Sequence, residues 1–320
     1  MKAWMLIIPA LMIIAVLPCT IHATVFLCVF RRVKRRKVDP AECSHGDKQL
    51  LRRWNDTLAR LESTPHERIT IRAFDGVKLA ADWYPGKKGA VLLFHGYRSS
   101  PTSNCALQAA DLIADGWSVL LPWQRAHGDS GGLFCGMGYL EARDILAWND
   151  WVLREKKVAA AAILGVSMGG CALGQCAAEL PPQVKAIMID CAYDSFAEQF
   201  VAKASRYPFP LPLGFKGIAG TVSKFQHTDI TQRASDRLKA CDIPALFIYG
   251  EKDVEVSPEA IIRMHKAHRG EKELFIGRGA GHARSYELDG EKAREVLLSF
   301  LNTHLLEGGF EYGGEVRYTG

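Results

Sequence analysis

Residues 160–173, Ala160-Ala161-Ala162-Ile163-Leu164-Gly165-Val166-Ser167-Met168-Gly169-Gly170-Cys171-Ala172-Leu173, run from an apolar strand pattern through a serine among glycines into a helical pattern. The pattern predicts a strand over Ala160–Leu164 and a helix over Met168–Ala178, with Ser167 on the sharp turn between them. Such a turn lifts the serine hydroxyl clear of the backbone, and glycines two positions on either side relieve the crowding. The start of the following helix carries partial positive charge from unpaired N–H groups, which suits an adjacent oxyanion. Ser167 is therefore the candidate nucleophile and the Met168 N–H a candidate oxyanion donor. A bare Gly-x-Ser-x-Gly arises by chance in about one protein in ten of this length. The strand before it and the helix after it are what make it specific.

The same alternation recurs on both sides of this stretch. Strand-like runs fall at Ala90–Phe94, Ser118–Leu121, Ala186–Ile189, Ala245–Tyr249 and Glu273–Ile276. Helical patterns lie between or after them at Asn104–Ala114, Glu141–Arg154, Pro258–Ala267 and Glu291–Leu301. Short, nearly all-apolar strands alternating with helices predict an α/β fold, a mostly parallel sheet covered on both faces. Ahead of them, Arg68–Phe74 and Val77–Tyr84 flank Asp75-Gly76, which reads as a two-residue hairpin. Residues 197–235 break the rhythm with Tyr207-Pro208-Phe209-Pro210-Leu211-Pro212, neither regular helix nor central strand, and read as a cap. The expected organisation is an anchor at 1–30, a basic and amphipathic linker at 31–66, a catalytic domain at 67–306 and a tail at 307–320.

Three further pieces carry chemistry. Phe94-His95-Gly96-Tyr97 ends a strand, and the Tyr97 N–H can join that of Met168 in an oxyanion hole. His95 there reads as a locally bonded loop histidine. Ile248-Tyr249-Gly250-Glu251-Lys252-Asp253 ends another strand, and Asp253 is the candidate acid that orients an imidazole. Glu251 and Glu255 lie close by, and Asp190 and Asp194, after the preceding strand, remain competitors. Gly279-Ala280-Gly281-His282-Ala283 follows the last strand, with small residues that let His282, the candidate base, reach Ser167. The order Ser, Asp, His along the chain suits this architecture. His127, in Arg125-Ala126-His127-Gly128-Asp129-Ser130-Gly131, reads as structural. His227, His265 and His268 fall in the cap or on a polar helix face.

Composition bounds the partners. The net charge of +5 owes its excess to the run Arg31, Arg32, Lys34, Arg35, Arg36 and Lys37, so no nucleic-acid footprint is expected. The nine cysteines form no CxxC pair and no Cys/His set with metal-ligand spacing, so they read as reduced, and neither a metal nor an organic cofactor is expected. Ala3–Phe30 holds no Asp, Glu, Lys or Arg, enough for the roughly 20 residues a membrane helix needs. The basic run behind it predicts a single-pass anchor with the catalytic domain on the cytoplasmic side. A cleaved signal peptide ending near Ile21-His22-Ala23 is the competing reading. Leu50, Leu51, Trp54, Leu58 and Leu61 predict an amphipathic helix that lies on the membrane or docks on the domain.

On His95-Gly96-Tyr97, Arg125-Ala126-His127-Gly128-Asp129-Ser130, Gly165-Val166-Ser167-Met168-Gly169, Asp190-Cys191-Ala192-Tyr193, Gly250 to Asp253 and Gly281-His282-Ala283, the sequence resembles the α/β-hydrolase superfamily. It is most similar to bacterial membrane-anchored members grouped with serine aminopeptidase-like hydrolases and carboxylesterases. The resemblance spans residues 68–302 and implies the fold, the nucleophile, the acid and the base at the positions above. Trp123 departs from it, since relatives carry Asp before the Arg-Gly-His-Gly type of loop, which puts the packing of that loop in question. The expected activity is serine-dependent hydrolysis of an ester; Phe200, Tyr207, Phe209, Leu211, Phe215 and Phe225 in the cap either point to an apolar acyl substrate or, the preferred reading, form the cap's own core. A peptidase and a non-catalytic binding protein are the alternatives, because fold alone never guarantees chemistry.

Overall fold

Strands as apolar as Ala90-Val91-Leu92-Leu93-Phe94 can only be covered on both faces, and the sheet is built that way. The computed structural model describes residues 20, 23, 24, 26–32, 39–41, 46–205, 220, 222–224 and 228–306. Its strands are β1 (Glu67–Arg72), β2 (Lys78–Tyr84), β3 (Ala90–Phe94), β4 (Ser118–Trp123), β5 (Ala161–Val166), β6 (Val184–Asp190), β7 (Ala245–Gly250) and β8 (Lys272–Gly277). They form one sheet in the order β1-β2-β4-β3-β5-β6-β7-β8. β2 runs antiparallel to both β1 and β4, and every pair from β4 to β8 is parallel.

Side chains alternate across the sheet with the two-residue period of a strand. Leu92, Phe94 and Ile163 point to one face, where they pack with Trp148 and Leu173 of helices α3 (Tyr139–Glu155) and α4 (Met168–Cys176). Val91, Leu93 and Leu164 point to the other and meet Leu112 of α2 (Pro101–Ala114). Further helices are α1 (Lys48–Ser63), α5 (Phe196–Ala204), α6 (Ala234–Leu238), α7 (Pro258–Ala267), α8 (Ser285–Leu288) and α9 (Gly290–Leu305).

The strand order creates the site. From β3 the chain crosses to β4 on one side, whereas from β5 it crosses to β6 on the other. Such a reversal opens a crevice at the carboxyl ends of the two strands between which it occurs. Phe94 pairs with Gly165, so the loops leaving β3 and β5 rise side by side from that crevice.

The structure corrects one local reading and decides two others. The β1–β2 pairing ends at Arg72 opposite Lys78, so the connection is residues 73–77 rather than a two-residue turn. The Asp75 carboxylate is engaged elsewhere, by the Arg125 guanidinium at 2.8 Å. Helix α1, capped by Asp47, lies on the domain: Leu50, Trp54 and Leu61 are buried in the cluster that holds α2. At the amino end, residues 26–30 are helical and Phe30 is completely buried against the α/β domain, while Arg31 bridges to Phe134. The expected border between anchor and linker therefore falls inside a segment that packs on the domain. Among the described residues no helix is long and apolar enough to cross a membrane. Most of the expected anchor, residues 206–219 of the cap, His227 and the tail from 307 lie outside the described residues.

Candidate active site

Ser167 sits between β5 and α4 with φ 55° and ψ −112°, a backbone that costs a residue with a side chain about 1–3 kcal/mol and persists only where its surroundings impose it. Those surroundings are on both sides. The Ser167 N–H donates to the Asp190 carbonyl at 2.8 Å, and its own carbonyl accepts from the Cys171 N–H at 2.9 Å. The flanking glycines are required by close approach. A Cβ at Gly165 would lie 2.3 Å from the Gly169 carbonyl oxygen, and one at Gly169 would lie 2.4 Å from that of Phe94.

The structure brings Ser167, His282 and Asp253 together. His282 Nε2 stands 2.9 Å from Ser167 Oγ, and His282 Nδ1 stands 2.7 Å from Asp253 Oδ2. Asp253 Oδ1 accepts the N–H groups of Glu255 and Val256 at 2.8 and 2.9 Å, so the carboxylate cannot swing away. With Asp253 accepting a hydrogen bond from Nδ1–H, Nε2 is left as an acceptor for the serine hydroxyl. The loops that carry Asp253 and His282 are tied to each other by Lys252 N–H to Ala280 O and Gly279 N–H to Glu251 Oε2, both 2.8 Å.

The competing carboxylates have other work. Glu251 holds that loop tie, and Glu255 pairs with Lys203 at 2.5 Å. Asp194, fully buried, accepts from Ser235 and from Arg263 at 2.6 Å. Asp190 ends β6 beside Val166, and burial pushes its carboxyl up to about 7, against the pull of His282. Its Oδ1 is buried without a hydrogen-bond partner among the described residues. Of the other histidines, His265 lies against the Phe247 ring and His268 bonds the Ile243 carbonyl.

Two backbone stretches adjoin Ser167, the start of α4 and the turn at Gly96. Met168 begins α4, so its N–H has no acceptor within the helix. Gly96 is so close that a Cβ on it would lie 3.2 Å from Ser167 Cβ, which brings the Gly96–Arg98 turn against the serine. The carboxylate-histidine-cysteine group Cys191, Asp253 and His282 has its ligand atoms within 4.8 Å of one another. It suits a metal poorly: Asp253 and His282 already bond each other, and burial pushes the Cys191 thiol well above its ordinary range, which keeps it protonated.

Two histidines hold the surrounding loops, a role that only three-dimensional contact reveals. His95 Nε2 accepts the Gln124 N–H at 3.1 Å while Nδ1 meets the Gly96 carbonyl at 2.8 Å. His127 Nε2 accepts the Arg98 N–H at 3.0 Å while Nδ1 meets the Arg125 carbonyl at 2.8 Å. Both are therefore neutral rings with the proton on Nδ1, clamped between the loops after β3 and β4. Arg125 anchors the second loop through a fork onto Asp144, both bonds 2.7 Å. Trp123, where the resemblance implies an Asp, packs against this loop. Gly128 rests on the indole face, where a Cβ would overlap the ring at 2.0 Å, and the Trp123 carbonyl accepts the Ser130 hydroxyl.

Burial, reinforced by His127, lowers the His95 imidazole from 6.5 to about 3. Between those two values the unfolded chain holds a proton here that the folded chain does not, so stability falls as pH drops through this window. The contribution is up to about 1.4 kcal/mol per pH unit. Urea titrations between pH 4 and 6 should show a shallower fall for His95→Gln than for the parent. Asp144 and Asp190, raised by burial to about 7, give slopes of the opposite sign in both proteins and cancel from the difference. Equal slopes would mean that His95 is charged in the folded protein.

Comparison with known proteins agrees with this architecture. Residues 89–216 match the family described as the alpha/beta hydrolase fold. The uncharacterized protein YqkD of Bacillus subtilis (strain 168) is 26% identical over 225 residues, which are 66% of this chain and 70% of that protein. The Pyrococcus furiosus esterase Pf2001 superposes with a TM-score of 0.65 at 21% identity, over 86% of this chain and 99% of its own. The esterase EaEST from Exiguobacterium antarcticum does so with a TM-score of 0.56 at 19% identity, over 74% of this chain and 100% of its own.

Proposed function

We propose, from the premise that this chain has the α/β-hydrolase fold, that it is a serine hydrolase that cleaves carboxylic esters through an acyl-enzyme on Ser167. The observation that carries the reading is the continuous line from Ser167 Oγ through His282 to Asp253, at 2.9 and 2.7 Å. Neutral His282 takes the Ser167 proton as Oγ attacks the ester carbonyl, and the carbonyl oxygen becomes an oxyanion facing the Tyr97 and Met168 N–H groups. Collapse breaks the bond to the alcohol, which leaves with the proton from His282. Water then repeats the sequence: His282 takes its proton, the hydroxide adds to the acyl carbon, and the acid departs as Ser167 regains its hydrogen.

An apolar acyl substrate is proposed from the apolar cluster next to Ser167, in which Met168, Met137, Phe196 and Val222 are buried together. The two esterases named above agree with an ester rather than a peptide. The reading extends to a tether: with Phe26–Phe30 engaged by the domain, residues 3–25 remain for a bilayer, still above the roughly 20 that a span needs. The direct assay is a panel of p-nitrophenyl esters and aminoacyl amides together with a fluorophosphonate probe. Ester turnover, with labelling that disappears in Ser167→Ala, is the expected result. Labelling of neither protein, or of both, would remove Ser167 from the mechanism, and turnover of amides alone would make the chain a peptidase.

A further inference from the structure

Residues 26–32 come from the stretch read as anchor and linker, yet they are bonded to the parts of the domain that the reaction needs. The Tyr97 hydroxyl donates to the Val29 carbonyl at 2.6 Å, and the Arg98 guanidinium donates to the Cys28 carbonyl. Both side chains of the turn that bears one oxyanion donor are thus held by this segment. The second donor is reached from the other end. The Phe30 carbonyl accepts the Cys135 N–H at 2.7 Å, and Cys135 Sγ lies 3.3 Å from the Met168 thioether. The Phe30 ring is fully buried in the cluster that contains Met168, and its centroid is 5.5 Å from that of Phe196.

Arg32 completes the arrangement. Its guanidinium donates to the carbonyls of Gly128, Ser130 and Gly132, and its N–H bonds the Leu133 carbonyl at 2.8 Å. These residues continue the loop whose His127 accepts the Arg98 N–H, so Arg32 braces the oxyanion turn indirectly as well. Three separate routes therefore lead from seven residues near the amino end to the two N–H groups beside Ser167. Such investment in one short segment exceeds what covering an apolar patch would need, since Phe30 and Phe26 alone would do that.

We propose that residues 26–32 are a positioning element of the active site, which holds Tyr97 and Met168 where their N–H groups meet the oxyanion and so sets kcat. The inference rests on the serine-hydrolase reading above. Its force comes from the steepness of catalysis in distance: a displacement of about 1 Å can cost about a hundredfold in rate, and loss of one oxyanion donor about 10²–10³.

The test compares the full chain with Tyr97→Phe, Arg32→Ala, Arg32→Lys and Phe30→Ala, on a short p-nitrophenyl ester and with a trifluoromethyl ketone that forms a tetrahedral adduct on the serine. Tyr97→Phe, which keeps ring and volume, should lower kcat about tenfold, and Arg32→Ala should lower it about 10–100-fold. KM should stay within about twofold, and binding of the ketone should weaken by the same factor as kcat, because both depend on the oxyanion contacts. Arg32→Lys should recover only part of the loss, since one ammonium cannot match a planar fork on three carbonyls. A segment that merely stabilised the domain would lower the melting temperature and leave kcat and ketone binding unchanged in Tyr97→Phe, and that result overturns the proposal. A rise in kcat in Arg32→Ala or Phe30→Ala would overturn it too, by making the segment a plug. Failure of the parent chain to hydrolyse the ester or to take the fluorophosphonate would instead refute the function itself.

Discussion

Ser167→Ala should lower kcat by about a millionfold and leave the chain folded. The magnitude follows from triads in which removal of the nucleophile costs nearly as much as removal of all three members, because base and acid have nothing left to act on. A residual rate of about 10³ over water is expected from the oxyanion donors and substrate binding alone. The fold should survive, since the alanine meets the same backbone at φ 55° that the serine already tolerates, and the bonds to Asp190 and Cys171 are made by main-chain atoms. Ser167→Gly should go further. With no Cβ to strain at that φ, it should be as inactive as the alanine variant yet more stable than the parent by about 1 kcal/mol. Steady-state kinetics with active-site titration measures the first effect and denaturant unfolding the second. Parent-like turnover by Ser167→Ala would place the chemistry elsewhere in the molecule.

Asp253→Asn should lower kcat by about 10⁴, without any large effect on KM. An amide can offer its N–H₂ to His282 Nδ1, which favours the tautomer that carries the proton on Nε2 and so blocks acceptance from Ser167. Asp190 makes this variant informative, because a second carboxyl lies near His282 at the end of the neighbouring strand. If Asp190 could take over, Asp253→Asn would be mild. Geometry opposes that: the imidazole Nδ1 is committed to Asp253 at 2.7 Å, and two backbone N–H groups fix Asp253 in place. Burial opposes it as well. A carboxyl raised to about 7 is protonated in a large part of the molecules at neutral pH and offers the imidazolium less charge. Asp190→Asn should accordingly cost less than about tenfold in kcat, far below the Asp253 effect. Reversed magnitudes in the two variants would make Asp190 the acid.

These expectations separate what short stretches of sequence carry from what they do not. Ser167, His282 and Asp253 each stand just past the end of an apolar run, and the reasons are local. Gly165 serves a turn whose clash is with Gly169, four places away, although the clash at Gly169 is with Phe94 on another strand, and Gly281 and Ala283 leave room around the histidine. Local sterics of this kind are written in adjacent residues, so the strand, turn and helix around Ser167 are legible without coordinates. The alternation of apolar strands with helices likewise implies a parallel sheet, because only covered strands can be apolar on both faces. The span of the β1–β2 connection was less legible. Asp75-Gly76 reads as a two-residue turn, but Arg72 pairs with Lys78 and Asp75 turns aside to meet Arg125, fifty positions along the chain.

By itself, then, the sequence determined the α/β class, the serine turn and the three positions able to form a triad, since each depends on neighbours in the chain. Tertiary structure alone decided that Asp253 rather than Asp190 faces the imidazole, that His95 and His127 are neutral clamps, and that α1 lies on the domain. It also decided that Cys28, Val29, Phe30 and Arg32 are hydrogen-bonded to Arg98, Tyr97, Cys135 and the loop at 128–133. The physical reason is separation. A hydrogen bond from Cys135 to Phe30, or from Arg32 to Ser130, joins residues about a hundred positions apart, and only the strand order that opens the crevice between β3 and β5 brings them within reach.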